Sequence, residues 1–94
     1  MSTPEPDTGE ELVTVIDLDC TGLICPLPVY KTALALNKLH SGQRLRLSTT
    51  DPGALADIPA MTRQRGDKLL SVSEAGDSQV FVIEKGGADA HVAR

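Results

Sequence analysis

A two-layer α/β sandwich, with a four-stranded mixed sheet and two helices on one face in the order β-α-β-α-β-β, is the fold that three features of this sequence predict. Arg44 to Thr50 alternates strictly between the two faces of a strand. Two breaker-bounded stretches, one opening at Pro26 and one ending at Gly66, have helical composition. Two β-rich runs near the C-terminal end are joined by Ala75-Gly76-Asp77-Ser78, for which a hairpin is the natural connection. Four strands and two helices bury their apolar sides most simply as one layer upon another.

The elements follow in order. Val13 to Leu18 mixes β-branched residues with alternation and reads as the first strand. Pro26 to His40 reads as the first helix, with Val29, Ala33, Leu36 and Leu39 on its packed side, Lys31 and Lys38 facing water, and Ser41-Gly42 as its stop. In the next strand Leu45, Leu47 and Thr49 point one way and Arg44, Arg46 and Ser48 the other, so the sheet has one wet face. Asp51-Pro52-Gly53 is a loop. Pro59 has no backbone N–H and breaks a helix from inside, so a short turn is expected at Ala54–Ala56. The second helix is then expected to begin near Asp57 as N-cap, with Pro59 in its first turn, and to end at Gly66. Lys68–Glu74 and Gln79–Lys85 are the last two strands, and the chain from Gly86 onward reads as a fraying end. The organisation expected is an acidic disordered tail over residues 1–11, one domain over 12–87 and a frayed C-terminus over 88–94.

Composition narrows the function. With 94 residues, no tryptophan, and Tyr30 and Phe81 as the only aromatic residues, the core is small and aliphatic. A chain of this size buries roughly 60–65% of the surface its unfolded form exposes, which leaves no room for a deep cofactor pocket. No run approaches the ~18–20 apolar residues that cross a bilayer, and the first eleven residues carry acid and proline where a signal peptide needs basic then apolar residues. A cytoplasmic protein without membrane contact is expected, and in that compartment Cys20 and Cys25 stay reduced. Residues 1–19 hold six acids and no base, so residues 20–94 carry seven acids against nine bases, a mildly basic body within a chain of net charge −4. Its basic stretch from Lys31 to Lys68 has no aromatic residues for base stacking, so a solvated surface is the leading reading, an acidic partner surface or a transient contact with RNA phosphate is the other, and stable nucleic-acid binding is not expected.

The chemistry rests on sulfur, because no Gly-x-Gly-x-x-Gly loop, Walker loop or Ser, His and Asp set is present. Cys25 stands in Gly22-Leu-Ile-Cys-Pro-Leu-Pro-Val29 at the start of the first helix, where the helix dipole and free N–H groups favour an anion. Its thiol is therefore expected to ionise more readily than an exposed cysteine, whose pKa is about 8.5. Pro26 and Pro28, at about the first and third helical positions, bring no N–H of their own, which leaves Leu27 as the nearest donor to the sulfur and makes the activation moderate. Moderate suits a relay, since the best attacking thiol has a pKa near ambient pH. The competing reading of Cys25 is a buried small hydrophobe. Cys20 has three readings: a packed or partly exposed loop residue, a resolving thiol that closes a disulfide with Cys25, or a metal ligand. Cys20, Cys25, His40 and His91 lack the paired spacing of zinc sites, so no metal and no cofactor is expected. Asp51 and Asp57 read chiefly as caps.

Three blocks of the chain resemble the TusA (SirA-like) family of sulfur carriers. Asp19-Cys-Thr-Gly-Leu-Ile-Cys-Pro-Leu-Pro-Val-Tyr-Lys-Thr32 resembles the family's cysteine signature, Asp51-Pro-Gly-Ala-Leu-Ala-Asp-Ile-Pro59 its second block, and Phe81-Val-Ile-Glu-Lys-Gly86 its last strand. The resemblance runs from about Leu12 to Gly87. It implies the same sandwich, and a persulfide relay protein of sulfurtransferase type in place of a stand-alone enzyme. By that resemblance Cys25 takes sulfane sulfur from a cysteine desulfurase or rhodanese and passes it to a DsrE/TusD-like or other thiol protein, for tRNA thiolation or dissimilatory sulfur metabolism. The chain departs from the family's habit at Gly66-Asp67, where Gly-His is frequent, and at Met61, where an aromatic is frequent; Cys20 is not part of the signature. Supporting positions are Gly22, Pro26, Leu27 and Pro28, and candidate partner-facing positions are Lys31, Asp51, Asp57, Arg44 and Arg46. Two other functions stay open: an interaction or regulatory module that docks through Arg44 and Arg46, and a thiol-disulfide switch between Cys20 and Cys25.

Overall fold

The alternation in Arg44–Thr49 places Leu45, Leu47 and Thr49 out of solvent while Arg46 stays exposed. In the computed structural model, which describes residues 14–87, this strand lies inside a four-stranded sheet. The elements are β1 (Val15–Cys20), α1 (Leu27–Asn37), β2 (Arg44–Thr49), α2 (Ala54–Arg65), β3 (Lys68–Ala75) and β4 (Ser78–Glu84). The sheet order is β1-β2-β4-β3; β1 runs parallel to β2, and the other two pairings are antiparallel. The mixed sheet and the predicted element order are those observed. The hairpin between β3 and β4 has Ala75 opposite Ser78, with Gly76 at φ 61 in the tight turn that joins them. The tail expected over residues 1–11 and the end expected over 88–94 lie outside the described residues.

Sheet residues Cys20, Leu45, Leu47, Phe81 and Ile83 meet Leu36 of α1 and Ala54 and Ile58 of α2 in the buried core. The buried stripe of α1 is Pro28, Thr32 and Leu36, whereas Val29, Ala33 and Leu39 are half-buried at its flanks. A threonine can occupy the middle of that stripe because its hydroxyl donates to the Pro28 carbonyl at 2.6 Å. No helix among the described residues is long and apolar enough to cross a membrane.

Besides one-residue shifts at the ends of β2, β3 and β4, four boundaries differ from those read in the sequence. β1 runs on to Cys20, which pairs with Thr49 across the parallel ladder and is fully buried there. α1 stops at Asn37, three residues early; Lys38 is its C-cap and its N–H donates to the Ala35 carbonyl, while the Leu39 N–H donates to that of Leu36. α2 begins at Ala54, not Asp57, so Gly53 is its N-cap and Pro59 lies inside it. A proline there removes the N–H that would reach the Leu55 carbonyl, and Leu55 is an exposed residue, which spares the core an unsatisfied group. Finally, the chain is not frayed at Gly86. Its N–H donates to Asp67 Oδ1 at 2.9 Å, its carbonyl accepts from Ser41 Oγ at 2.9 Å, and a Cβ built on it would run into the Gly66 carbonyl. Glycine is required there by close approach.

That end of the molecule is held by buried polar groups. Asp67, out of solvent, accepts from Arg65 Nε at 2.7 Å as well as from Gly86. The Lys85 ammonium, also buried, donates to the Leu36 carbonyl at 2.9 Å, a cation at the C-terminal end of α1. The loops that carry Cys25 and Asp51 leave from the opposite end, at the C-terminal ends of the parallel strands β1 and β2.

Candidate functional site

Because β1 and β2 are parallel neighbours with Cys20 opposite Thr49, the segments that follow them emerge side by side. After β1 the chain turns at once: Leu23 N–H donates to the Cys20 carbonyl at 3.1 Å, and Gly22, at φ 83, takes the left-handed position that a side chain would resist. Thr21 closes on Asp19, and Gly22 N–H donates to Thr50 Oγ1 at 2.9 Å, which ties this turn to the end of β2. After β2, Asp51 accepts from Gly53 N–H at 3.1 Å and α2 starts. Buried Gln79, with its amide nitrogen turned to donate, reaches the carbonyls of Thr49 and Asp51 from below.

Cys25 follows the first turn and is exposed. Pro26 is the N-cap of α1, Leu27 its first residue and Pro28 its second; the Cys25–Pro26 peptide bond is cis. Pro28 is buried and anchors the helix start, whereas Leu27 is exposed. The Leu27 N–H, the donor expected for the sulfur, goes to the Ile24 carbonyl at 2.9 Å. What the sulfur meets is a carboxylate: Cys25 Sγ donates to Asp57 Oδ2 at 3.5 Å across 32 residues of sequence.

This contact reverses the expected electrostatics. The hydrogen bond to Asp57 pushes the Cys25 thiol above its ordinary value, and desolvation and the charges of Asp57 and then Asp51 act in the same direction. The expectation of a thiol activated by the helix start is thus overturned by a charge on the neighbouring helix. Asp57 is not the cap of α2; it stands in the first turn, half-buried, with its side chain on Cys25. Its role was missed because sequence gives no distance between segments so far apart. The available signal was topological: loops after adjacent parallel strands share one end of a sheet.

The other candidate positions fall into two groups. Gly22, Pro26, Leu27, Pro28, Asp51 and Asp57 are gathered around Cys25. Cys20 is near in sequence but has no exposed surface at the end of β1, and burial pushes its thiol up, with Lys31 opposing and Asp19 adding to the shift. The two thiols thus lie in different surroundings, Cys20 buried and Cys25 exposed. Lys31 is exposed on α1. Arg44 and Arg46 lie on the open face of the sheet, away from the helices, and each meets an acid: Arg44 lies 3.7 Å from Glu84, and Arg46 grips Asp17 with two hydrogen bonds of 2.6 and 3.1 Å. A basic docking face is therefore largely neutralised within the chain.

Exposed apolar residues flank the thiol. Ile24, Leu27 and Tyr30 surround Cys25 in sequence, Ile24 being 72% exposed, and Leu55 is exposed in the first turn of α2. A groove of about 420 Å³ opens instead between α1 and β1, floored by Ile16, Leu18 and Leu34 and rimmed by Lys31 and Lys38; Cys25 is not among its lining residues. Among the described residues no three His, Cys, Asp or Glu side chains come together as a metal site requires. The sulfur thus stands on open surface, where another macromolecule's sulfur can reach it.

Fold and surface together define a small α/β thiol protein with its exposed cysteine at the head of a helix. The family profile described as sulfurtransferase TusA matches residues 16–85, nearly the whole described body. The candidate sulfur carrier YrkI of Bacillus subtilis is 44% identical over 69 residues, which is 73% of this chain and 92% of that protein. The sulfur carrier protein TusA of Allochromatium vinosum is 41% identical over 69 residues, 73% of this chain and 91% of the relative. The chain belongs to the TusA family of sulfur carriers.

Proposed function

We propose that the chain carries sulfane sulfur as a persulfide on Cys25 and passes it between two partner proteins. The observation that carries this reading is the exposed Cys25 sulfur at the head of α1, its neighbour Pro28 locked into the core, in a member of a sulfur-carrier family. Cys25 as thiolate attacks the outer sulfur of a donor cysteine persulfide. The new S–S bond forms as the donor's S–S bond breaks, and the donor cysteine leaves with the electron pair, taking a proton in place of the one Cys25 gave to solvent. In the second transfer an acceptor thiolate attacks the same outer sulfur and Cys25 is the leaving group. Each exchange is neutral in electrons, so no external oxidant or reductant is consumed.

A cysteine desulfurase or a rhodanese fits as donor, and a DsrE/TusD-like or other thiol protein as acceptor, in tRNA thiolation or in dissimilatory sulfur metabolism. The cytoplasm fits as compartment, since both thiols must stay reduced between transfers. Asp51 and Asp57 are partner-facing in this reading, with Ile24, Leu27 and Tyr30 as the apolar surface beside them. Intact-mass spectrometry of wild-type, Cys20→Ser and Cys25→Ser protein, after incubation with a cysteine desulfurase and cysteine, tests it. The expected result is a reductant-labile gain of one sulfur in the wild type and in Cys20→Ser, absent in Cys25→Ser. Equal loading of Cys25→Ser would refute the reading.

A further inference from the structure

Of the acids on this chain, Asp17, Asp67 and Glu84 each face an arginine. Asp57 and Asp51 do not: among the described residues neither is ion-paired, and Asp57 has the Cys25 thiol as its side-chain contact. An unneutralised carboxylate that accepts a hydrogen bond from the reacting sulfur favours the state in which that sulfur keeps its proton.

Resting on the persulfide reading above, we propose that Asp57 is a positioning residue that holds Cys25 latent and biases the carrier toward its unloaded form. In the unloaded protein Sγ bears a proton and donates to Asp57 Oδ2 at 3.5 Å. In the loaded protein Sγ is bonded to the outer sulfur and bears no proton, so that hydrogen bond is lost. The outer sulfur of a persulfide is more acidic than a thiol and is anionic at neutral pH, which sets a negative charge beside two carboxylates. Both changes oppose loading and favour handing the sulfur on. The charged groups that act on Cys25 are Asp57 from α2 and Asp51 from the loop after β2, whereas Lys31 of α1 acts on Cys20. The same bias protects the idle carrier, because the thiolate is the form that is oxidised or alkylated. A relay has to take sulfur and also give it up. Asp57 serves the second requirement at the expense of the first.

The test is the pH dependence of Cys25 alkylation by iodoacetamide, in a Cys20→Ser background, for the parent, Asp57→Asn and Asp57→Ala, with Asp51→Asn, which keeps an acceptor for the Gly53 N–H, as a second site. Thermal unfolding of each variant reports its fold. Asparagine keeps an acceptor and removes the charge; alanine removes both. The midpoint is expected to fall in the order parent, Asp51→Asn, Asp57→Asn, Asp57→Ala, with roughly a tenfold gain in alkylation at neutral pH for each unit the midpoint moves. Equilibration with glutathione persulfide, read by intact mass, is expected to leave more loaded protein in both Asp57 variants than in the parent. Alkylation that is unchanged or slower in folded Asp57 variants overturns the proposal, and slower alkylation would mark Asp57 as a base that activates the thiol. If alkylation accelerates while no variant, nor the parent, takes sulfur, the latency of Cys25 stands and the carrier reading falls.

Discussion

The two ends of this sandwich use the same helices and strands in opposite ways. At one end, where α1 stops, α2 stops and β4 runs out, Asp67 and Lys85 are buried, Gly86 is half-buried, and their polar groups are met: carboxylate by guanidinium and backbone N–H, ammonium by the Leu36 carbonyl of α1. At the other end, where α1 and α2 begin, Cys25 is exposed, Asp57 and Asp51 are in no ion pair among the described residues, and apolar Ile24 and Tyr30 stand in water. Paired buried groups hold a fold together, and unpaired exposed ones do chemistry or wait for a partner. The difference separates the groups that hold the fold from the exposed thiol, so each end should break independently of the other.

The largest effect is expected at the closed end. Asp67→Ala takes from Arg65, whose side chain is only 19% exposed, its carboxylate partner, leaving it the Asn37 side-chain oxygen, and strips the acceptor from the Gly86 N–H. Removing one member of a buried pair costs about 3–5 kcal/mol, and the lower figure suits a pair that keeps some solvent. In a domain this small that loss lowers the melting temperature by tens of degrees. Urea unfolding measures it, and Cys25 alkylation in the native baseline should be unchanged. A shift in Cys25 reactivity with Asp67→Ala would show that the two ends are coupled.

How far the sequence spoke differs between these ends for a physical reason. Alternation in β2, the hairpin at Gly76 and the helical stretches are short-range signals, and they were legible. The place of Cys25 on the surface at the head of α1 was legible as well. What failed depended on contacts between distant segments. Gly86 looked like the start of a loose end because its two hydrogen bonds and its close approach to Gly66 come from residues 19 and more positions away. Pro59 was read as a first-turn residue because a proline inside a helix is costly, yet the carbonyl it deprives sits on an exposed turn. The helix-start argument for Cys25 was sound as local physics and lost to a carboxylate that only the parallel pairing of β1 and β2 brings within reach.

A smaller effect separates the two cysteines and sharpens the contrast within the reactive end. Both thiols are pushed up on folding, Cys20 by burial and Cys25 by Asp57. An acid whose folded value lies above its unfolded value keeps a proton that the unfolded chain releases. Stability is therefore full below about pH 8.5 and declines as pH rises from there toward the folded values. Denaturant melts between neutral and alkaline pH should show the decline. Cys20→Ala should remove the part owed to burial and Asp57→Asn the part owed to the carboxylate. If Asp57→Asn leaves the alkaline slope unchanged, the hydrogen bond to Cys25 does not persist in solution.

The smallest effect is expected on the open face of the sheet. Arg46 and Asp17 make the shortest ion pair in the described chain, yet their side chains are 51% and 66% exposed, and water and salt screen a pair so placed. The Arg46 guanidinium holds the Asp17 carboxyl below its usual value, and Thr21 does the same for Asp19. A depressed carboxyl contributes stability that is present above the unfolded value near pH 4 and is lost as pH falls through the folded one. Asp17→Asn should thus be nearly silent in neutral melts and show only a slightly shallower acid limb, erased by added salt. A large loss at neutral pH would mean that this pair fixes the register of β1 against β2, and with it the side-by-side exit of the two loops that brings Asp57 to Cys25. In that case the open face, not the closed end, would govern the geometry of the thiol.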